Sequence, residues 1–152
     1  MIQLTKSNRV DELLESFGDG KSYSAITSDI QITVWPEFVD SKSSIIGDLY
    51  IWSYHVRIEN RKQEAIQLVS RYWRILDEKG VVQEINGEGV VGEQPIIAPN
   101  ASYQYSSGVH LRYPSGIMMG RYNMKKIEGG EVFEVTIPTF SLDVPNINNV
   151  LN

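Results

Sequence analysis

The chain contains no cysteine. That removes disulfide frameworks, thiolate nucleophiles and cysteine-ligated zinc together. A thiol-free sequence fits a reducing compartment, so a cytoplasmic location is the expectation. Histidine is scarce too: His55 and His110 are the only ones. The sequence holds neither a His-Glu-x-x-His spacing nor a Gly-x-Ser-x-Gly elbow, so a catalytic zinc and a serine triad both lack their parts. No basic excess exists either. Net charge is −5, and Arg61-Lys62 and Lys125-Lys126 are isolated pairs rather than a stripe, which speaks against nucleic acid as a partner. No apolar run approaches the ~20 residues of a membrane span, and no membrane association is expected. Met1 to Gly20 has no apolar core behind a basic start, so it does not read as a signal peptide. The expectation is a protein that is not an enzyme, with no catalytic residue, no cofactor and no resident metal.

What is present suits one globular domain. Hydrophobic residues make up 41% and charged residues 22% of 152 positions, which is enough for a sizeable core. Helical periodicity is confined to the start. Val10, Leu13, Leu14 and Phe17 recur at helix spacing behind Asn8 as N-cap, and Gly18 and Gly20 stop the pattern. This predicts a short amphipathic helix in an N-terminal extension over 1–22, docking on its own domain or on a partner.

From Ser28 onward the period is two. Ile30, Ile32 and Val34 alternate with Gln31, Thr33 and Trp35, and Pro36 is expected to end or bend that strand. The longest alternation follows a polar connection over 40–48. Tyr50, Trp52, Tyr54, Val56 and Ile58 face a core, while Ile51, Ser53, His55, Arg57 and Glu59 face water. In the next strand the apolar phase slips, from Ile66 and Leu68 to Val69, Trp73 and Ile75, which predicts a bulge near Val69 or Ser70. Turns are expected at Asn60 to Glu64, Asp77 to Gly80, Pro99-Asn100, Tyr113 to Gly116 and Gly129-Gly130. Met118, Tyr122 and Met124 share a face, with Gly120 admitting a close neighbour. Phe133, Val135 and Ile137 close the core, Phe140 and Leu142 cover an edge, and residues 146–152 read as a loose tail. Trp35, Trp52 and Trp73 are core candidates. About eight short strands with regular turns argue an antiparallel sandwich or barrel over 23–145.

Asn86 to Pro95 contains Gly87-x-Gly89-x-x-Gly92, the spacing of a dinucleotide-binding loop. That spacing has meaning only where a helix follows and offers its N-terminus to the pyrophosphate. Here Pro95 and Pro99 forbid such a helix, and Val90, Val91, Ile96 and Ile97 favour extended backbone. Glu88 and Glu93 would repel a phosphate. The glycines are therefore expected to turn and bulge a strand. Glu84, Glu88 and Glu93 offer oxygen ligands to a hard cation, or serve as a solvated rim paired with Arg71, Arg74, Arg112 and Arg121.

Val56-Arg57-Ile58-Glu59-Asn60, Ile66 to Trp73, Gly87 to Pro95, Tyr105 to Gly108, Pro114 to Met124 and Ile137 to Leu142 together resemble the ApaG family. The resemblance covers about residues 23 to 145, with the glycine stretch through Gln94-Pro95 its most specific part. It implies an immunoglobulin-like, fibronectin type III-like β-sandwich. It also implies a link to cobalt tolerance and magnesium efflux in bacteria, and a binding module in the eukaryotic proteins that carry a similar domain. The chain departs from the family pattern at Tyr72, where Arg-His-Trp is usual, and at Lys62 and Asn100, which replace turn glycines. The expected function is that of a module binding a protein partner through Arg71, Gly87, Glu88, Gly89, Val90, Val91, Gly92, Glu93 and Gln94. The alternative is a small-ligand or divalent-metal module using the same stretch. The oligomeric state is left open, a homodimer included.

Overall fold

The computed structural model describes residues 21–44 and 46–145, together with the backbone of Gln3–Leu4. The helix expected over Val10 to Phe17 and the tail expected over 146–152 lie outside the described residues. The strands are Gln3–Leu4 (β1), Tyr23–Thr27 (β2), Ile30–Phe38 (β3), Tyr50–Asn60 (β4), Ile66–Asp77 (β5), Val82–Glu88 (β6), Ile96–Ile97 (β7), Ser102–Leu111 (β8), Ser115–Lys126 (β9) and Val132–Asp143 (β10). They form two antiparallel sheets, ordered β1-β8-β4-β3-β2 and β10-β9-β5-β6, with β7 also on β5. This is a sandwich rather than a barrel: of the two architectures that the alternation leaves open, it is the one that the family resemblance implies.

Period-two patterning explains the layers. Tyr50, Trp52, Tyr54, Val56 and Ile58 of β4 are buried and meet Trp73, Ile75, Met118, Tyr122 and Val135 of the opposite sheet in one core. Trp73 sits edge-on to both Tyr54, at 5.3 Å, and Phe140, at 6.0 Å. Each such pair contributes about 0.5–1.5 kcal/mol beyond its buried area. Gly120 lets β9 lie close against β5 here, since a Cβ would collide with the carbonyl oxygen of Tyr72 in the neighbouring strand.

Several expectations need correction. Pro36 does not end its strand: β3 continues to Phe38, and Pro36 pairs with Tyr54 on one side only, beyond the end of β2. Its missing N–H therefore leaves no ladder bond unmade. Phe140 and Leu142 are core rather than edge cover, at 1% and 0% exposure. The register shifts between Ile137 and Phe140, which turns the even positions inward. Trp35 lies on the outer face, half-buried under the Arg57 guanidinium at 5.2 Å. Gly129 and Gly130, both at positive φ, belong to a four-residue loop closed by Lys126 and Glu131. The β2–β3 hairpin escapes the sequence reading because Ser28 and Asp29, at φ 49° and 62°, fill the turn that Asn-Gly usually marks.

Trp73→Ala should cost about 3–5 kcal/mol in urea unfolding, as expected for a buried tryptophan. Trp35→Ala, at a half-buried outer position, should cost less than half of that.

Candidate functional site

The bulge sits at Val69. On the β9 side Leu68 pairs with Met124 and Ser70 with Asn123, which leaves Val69 without a register partner. Two things follow from this one inserted residue. The inward phase passes from Ile66 and Leu68 to Arg71, Trp73 and Ile75. The Val69 carbonyl, released from the ladder, accepts the Gly89 N–H at 2.8 Å and Gln94 Nε2 at 2.9 Å. Beside it, Leu68 N–H donates to the Pro95 carbonyl at 3.0 Å, and Gln67 Nε2 donates to that of Gln94 at 3.0 Å.

These bonds hold the glycine stretch as an excursion from one sheet edge. Ser70 pairs with Glu88 and Gln67 with Ile96, so three steps along β5 match eight along its partner. The extra residues fold into a two-residue hairpin. Val90 N–H donates to the Glu93 carbonyl at 2.8 Å and Glu93 N–H returns to Val90 at 3.0 Å. Val91 and Gly92 form the tip with φ of 52° and 76°, a type I′ turn. No helix follows Gly92; the chain goes directly into extended Gln94-Pro95 and β7. The fingerprint spacing thus has separate local causes. At Gly87 a Cβ would stand 2.6 Å from Arg71 Nη1, and at Gly89 it would strike the Glu93 carbonyl oxygen.

Val91 is the anomaly. A β-branched residue in the left-handed region is strained by about 1–3 kcal/mol. The excursion nevertheless keeps it there, with Val90 fully buried and Val91 packed against the core. The pair is thus split, with Val90 in the interior and Val91 half-buried.

Beneath the turn lies a pocket of about 250 Å³, lined by Tyr54, Arg71, Val90, Val91, Gly92, Tyr105 and Ser107. Arg71 Nη1 donates to the carbonyls of Glu88, at 3.2 Å, and Gly89, at 2.8 Å. Among the described residues no carboxylate stands within ion-pair distance of Arg71, and Arg121 pairs with Glu134 instead. The expected pairing of Arg71, Arg74, Arg112 and Arg121 with Glu84, Glu88 and Glu93 is thus absent. Tyr105 and Tyr122 share a short hydroxyl–hydroxyl hydrogen bond. Burial pushes the Tyr105 and Tyr122 hydroxyls well above the usual phenol range, and that of Tyr54 upward, with the nearby Arg71 charge acting in the opposite sense. All three stay protonated as donors at neutral pH. Glu93 is exposed at the rim, where its carboxylate accepts from Tyr103 at 3.4 Å. Burial and that carboxylate raise the Tyr103 hydroxyl to about 12.

Of the residues singled out from the sequence, Arg71 lies against the 87–94 excursion; Tyr54, Tyr105 and Ser107, which line the same pocket, are missed. Their alternation signals core alone; nothing local signals that they end beside a guanidinium. His55 is also misplaced. It occupies the face expected to be wet, yet it is fully buried, with Nε2 at 2.7 Å from Gln104 Oε1 and Nδ1 at 2.8 Å from the Ser106 hydroxyl. A neutral ring satisfies both contacts by donating to Gln104 and accepting from Ser106. Among the described residues no group of three or more His, Asp or Glu side chains could hold a metal ion. No helix there is long and apolar enough to cross a membrane.

A two-sheet antiparallel sandwich carrying a braced glycine excursion over an arginine pocket defines the class. The ApaG domain model matches residues 40–126. Protein ApaG of Brucella suis is 52% identical over 130 residues, covering 86% of this chain and 99% of the relative. Protein ApaG of Methylocella silvestris is 48% identical over the same shares. A crystal structure of a Bordetella pertussis protein assigned the name ApaA is 40% identical with a TM-score of 0.75, covering 78% of this chain and 95% of that one. The chain belongs to the ApaG family.

Two outcomes test this geometry. Val91→Asn and Val91→Ala both delete methyl groups that face the core, but only asparagine tolerates the left-handed turn. The Asn variant should therefore unfold at higher urea than the Ala variant, by roughly 0.5–1 kcal/mol. For His55, burial holds the imidazole below its ordinary 6.5, so the unfolded chain takes up the proton first. Stability owed to the neutral ring is whole above that value and is lost as pH falls below it. Melting temperature should accordingly drop between neutral pH and about pH 5, and His55→Gln should flatten the dependence.

Proposed function

We propose that this chain is a non-enzymatic binding module that recognises a protein partner through Arg71 and the face formed by residues 87–94. One observation carries the reading: a strained turn, braced by side chains on both sides, is held over a pocket containing a half-buried guanidinium. Strain kept at a surface is a mark of pre-organisation, because a relaxed turn would be more stable. Exposed loops on a rigid sandwich are also where recognition tends to lie. Among the described residues the parts of a catalytic site do not converge here: they bring no histidine or carboxylate into the pocket to move a proton. The small-ligand alternative has the pocket in its favour. The metal alternative has only the dispersed Glu84, Glu88 and Glu93. The family link to cobalt and magnesium is then read as a consequence of what the module recruits in the cytoplasm.

Glu93→Lys reverses a charge at the rim and should move stability by under ~0.5 kcal/mol, while reducing partner capture from cytosolic extract severalfold. Melting temperature and pull-down yield, compared with the unmodified chain, check this. Equal capture would remove the surface from consideration.

A further inference from the structure

The geometry points to a single carboxylate group as the ligand of the Arg71 pocket, seated against the guanidinium and the hydroxyls of Tyr54 and Ser107. This rests on the reading above that the 87–94 face is the recognition surface, and it names the chemistry that surface selects.

Three observations carry it. First, the described residues give the pocket a cation and several donors but no acid. Among the described residues Arg71 is the one charged side chain in the lining, and there Nη1 alone is committed to main-chain carbonyls, which leaves further guanidinium N–H groups for an incoming oxyanion. Tyr54 and Ser107 supply hydroxyls from the opposite sheet. The N–H groups of Val91 and Gly92 have no partner among the described residues.

Second, the charge matches a monoanion. One guanidinium balances one carboxylate, whereas a phosphate monoester brings close to two negative charges. Among the described residues no lysine or second arginine lines the pocket, and Glu88 and Glu93 flank the turn above it. The excess charge of a phosphate would meet repulsion there.

Third, the size and walls suit a short carbon stem. About 250 Å³ is roughly eight times the ~30 Å³ that water occupies in the liquid. Val90, Val91 and two phenol rings provide apolar sides for such a stem. Pre-organisation follows from Gly87, whose missing Cβ lets the guanidinium lie across β6 while it bonds the turn. The ligand would therefore meet a donor set already in place.

The test is an amide-resolved NMR titration of the full chain. The probes are propionate, inorganic phosphate, a short peptide with a free C-terminal carboxylate and the same peptide amidated. The expected result is saturable shifts at Val90, Val91, Gly92 and Ser107 with propionate or the free-acid peptide, weaker binding of phosphate, and no response to the amide. Saturation by propionate alone assigns the carboxylate to a free small acid, and saturation by the peptide alone to a protein terminus; either supports the inference. Arg71→Lys should weaken binding about tenfold, as loss of one charge-assisted fork would. Ser107→Ala, which leaves the braces of the turn intact, should weaken it less and serves should Arg71→Lys unfold. Phosphate binding as tightly as any carboxylate, equal response to acid and amide, or no saturable shift at these amides would overturn the inference. If capture falls with Glu93→Lys while no carboxylate binds, the inference fails and the recognition surface stands. If carboxylates bind while capture is unchanged, the pocket stands and the protein-partner reading fails.

Discussion

One residue of mismatch in β5 governs the functional end of this molecule. A regular ladder would have put Ser70 and Tyr72, rather than Arg71 and Trp73, toward the interior, and would have tied the Val69 carbonyl to a neighbouring strand. The bulge instead frees that carbonyl to hold Gly89 and Gln94, and it aims Arg71 beneath the turn they support. The packing of Trp73 against Tyr54 and Phe140 depends on the same phase change. Core and candidate site are thus coupled through backbone geometry: a rearrangement that relaxed the bulge would disturb both. Bulges are where sheets commonly re-aim a side chain, and here the re-aimed residue is charged.

That charge sets up a competition. A half-buried guanidinium loses hydration, and two carbonyl contacts recover only part of it. Three neutral tyrosine hydroxyls nearby provide dipoles rather than a counter-charge. Val91 adds backbone strain at the same place. Both are tolerable because the rest of the sandwich is well packed, with a continuous buried core running through both sheets. A site that costs stability can persist where the surrounding structure over-determines it.

Much of this was legible before the structure. The alternation of β4, the phase slip at Val69, the turn at Pro99-Asn100 and the non-helical reading of the glycine stretch all rest on local chemistry, and local chemistry is printed in the sequence. Pro95 and Pro99 were sufficient to reject a dinucleotide loop, whatever the glycine spacing suggested. The pocket is different in kind. Its walls come from β4, β5, β8 and the excursion, so its composition is set by strand pairing and sheet packing. Tyr54 and Tyr105 looked like any buried aromatic on an alternating strand, because only tertiary structure brings their hydroxyls toward Arg71. His55 failed for a similar reason. Alternation names the face a residue occupies but not what lies over that face. Phe140 and Leu142 read as edge cover from the sequence because the register shift between Ile137 and Phe140 reverses the phase in the middle of a strand whose first half looks complete.

The overall charge bears on what such a pocket can select. With net charge −5, the protein repels polyanions at long range, and at physiological salt that repulsion decays over about 8 Å. Close to the turn the field is set locally, by one guanidinium with hydroxyl dipoles around it and two carboxylates on the excursion above. A multiply charged ligand feels the global and the rim repulsion in proportion to its charge, yet among the described residues it finds one cation in the pocket to offset them. A singly charged group feels the least repulsion and can satisfy that cation completely. Low local dielectric sharpens this distinction, because an unmatched second charge is costly once water is displaced. The glycine spacing that on paper invites a pyrophosphate therefore sits, in three dimensions, over a site whose electrostatics favour a monoanion.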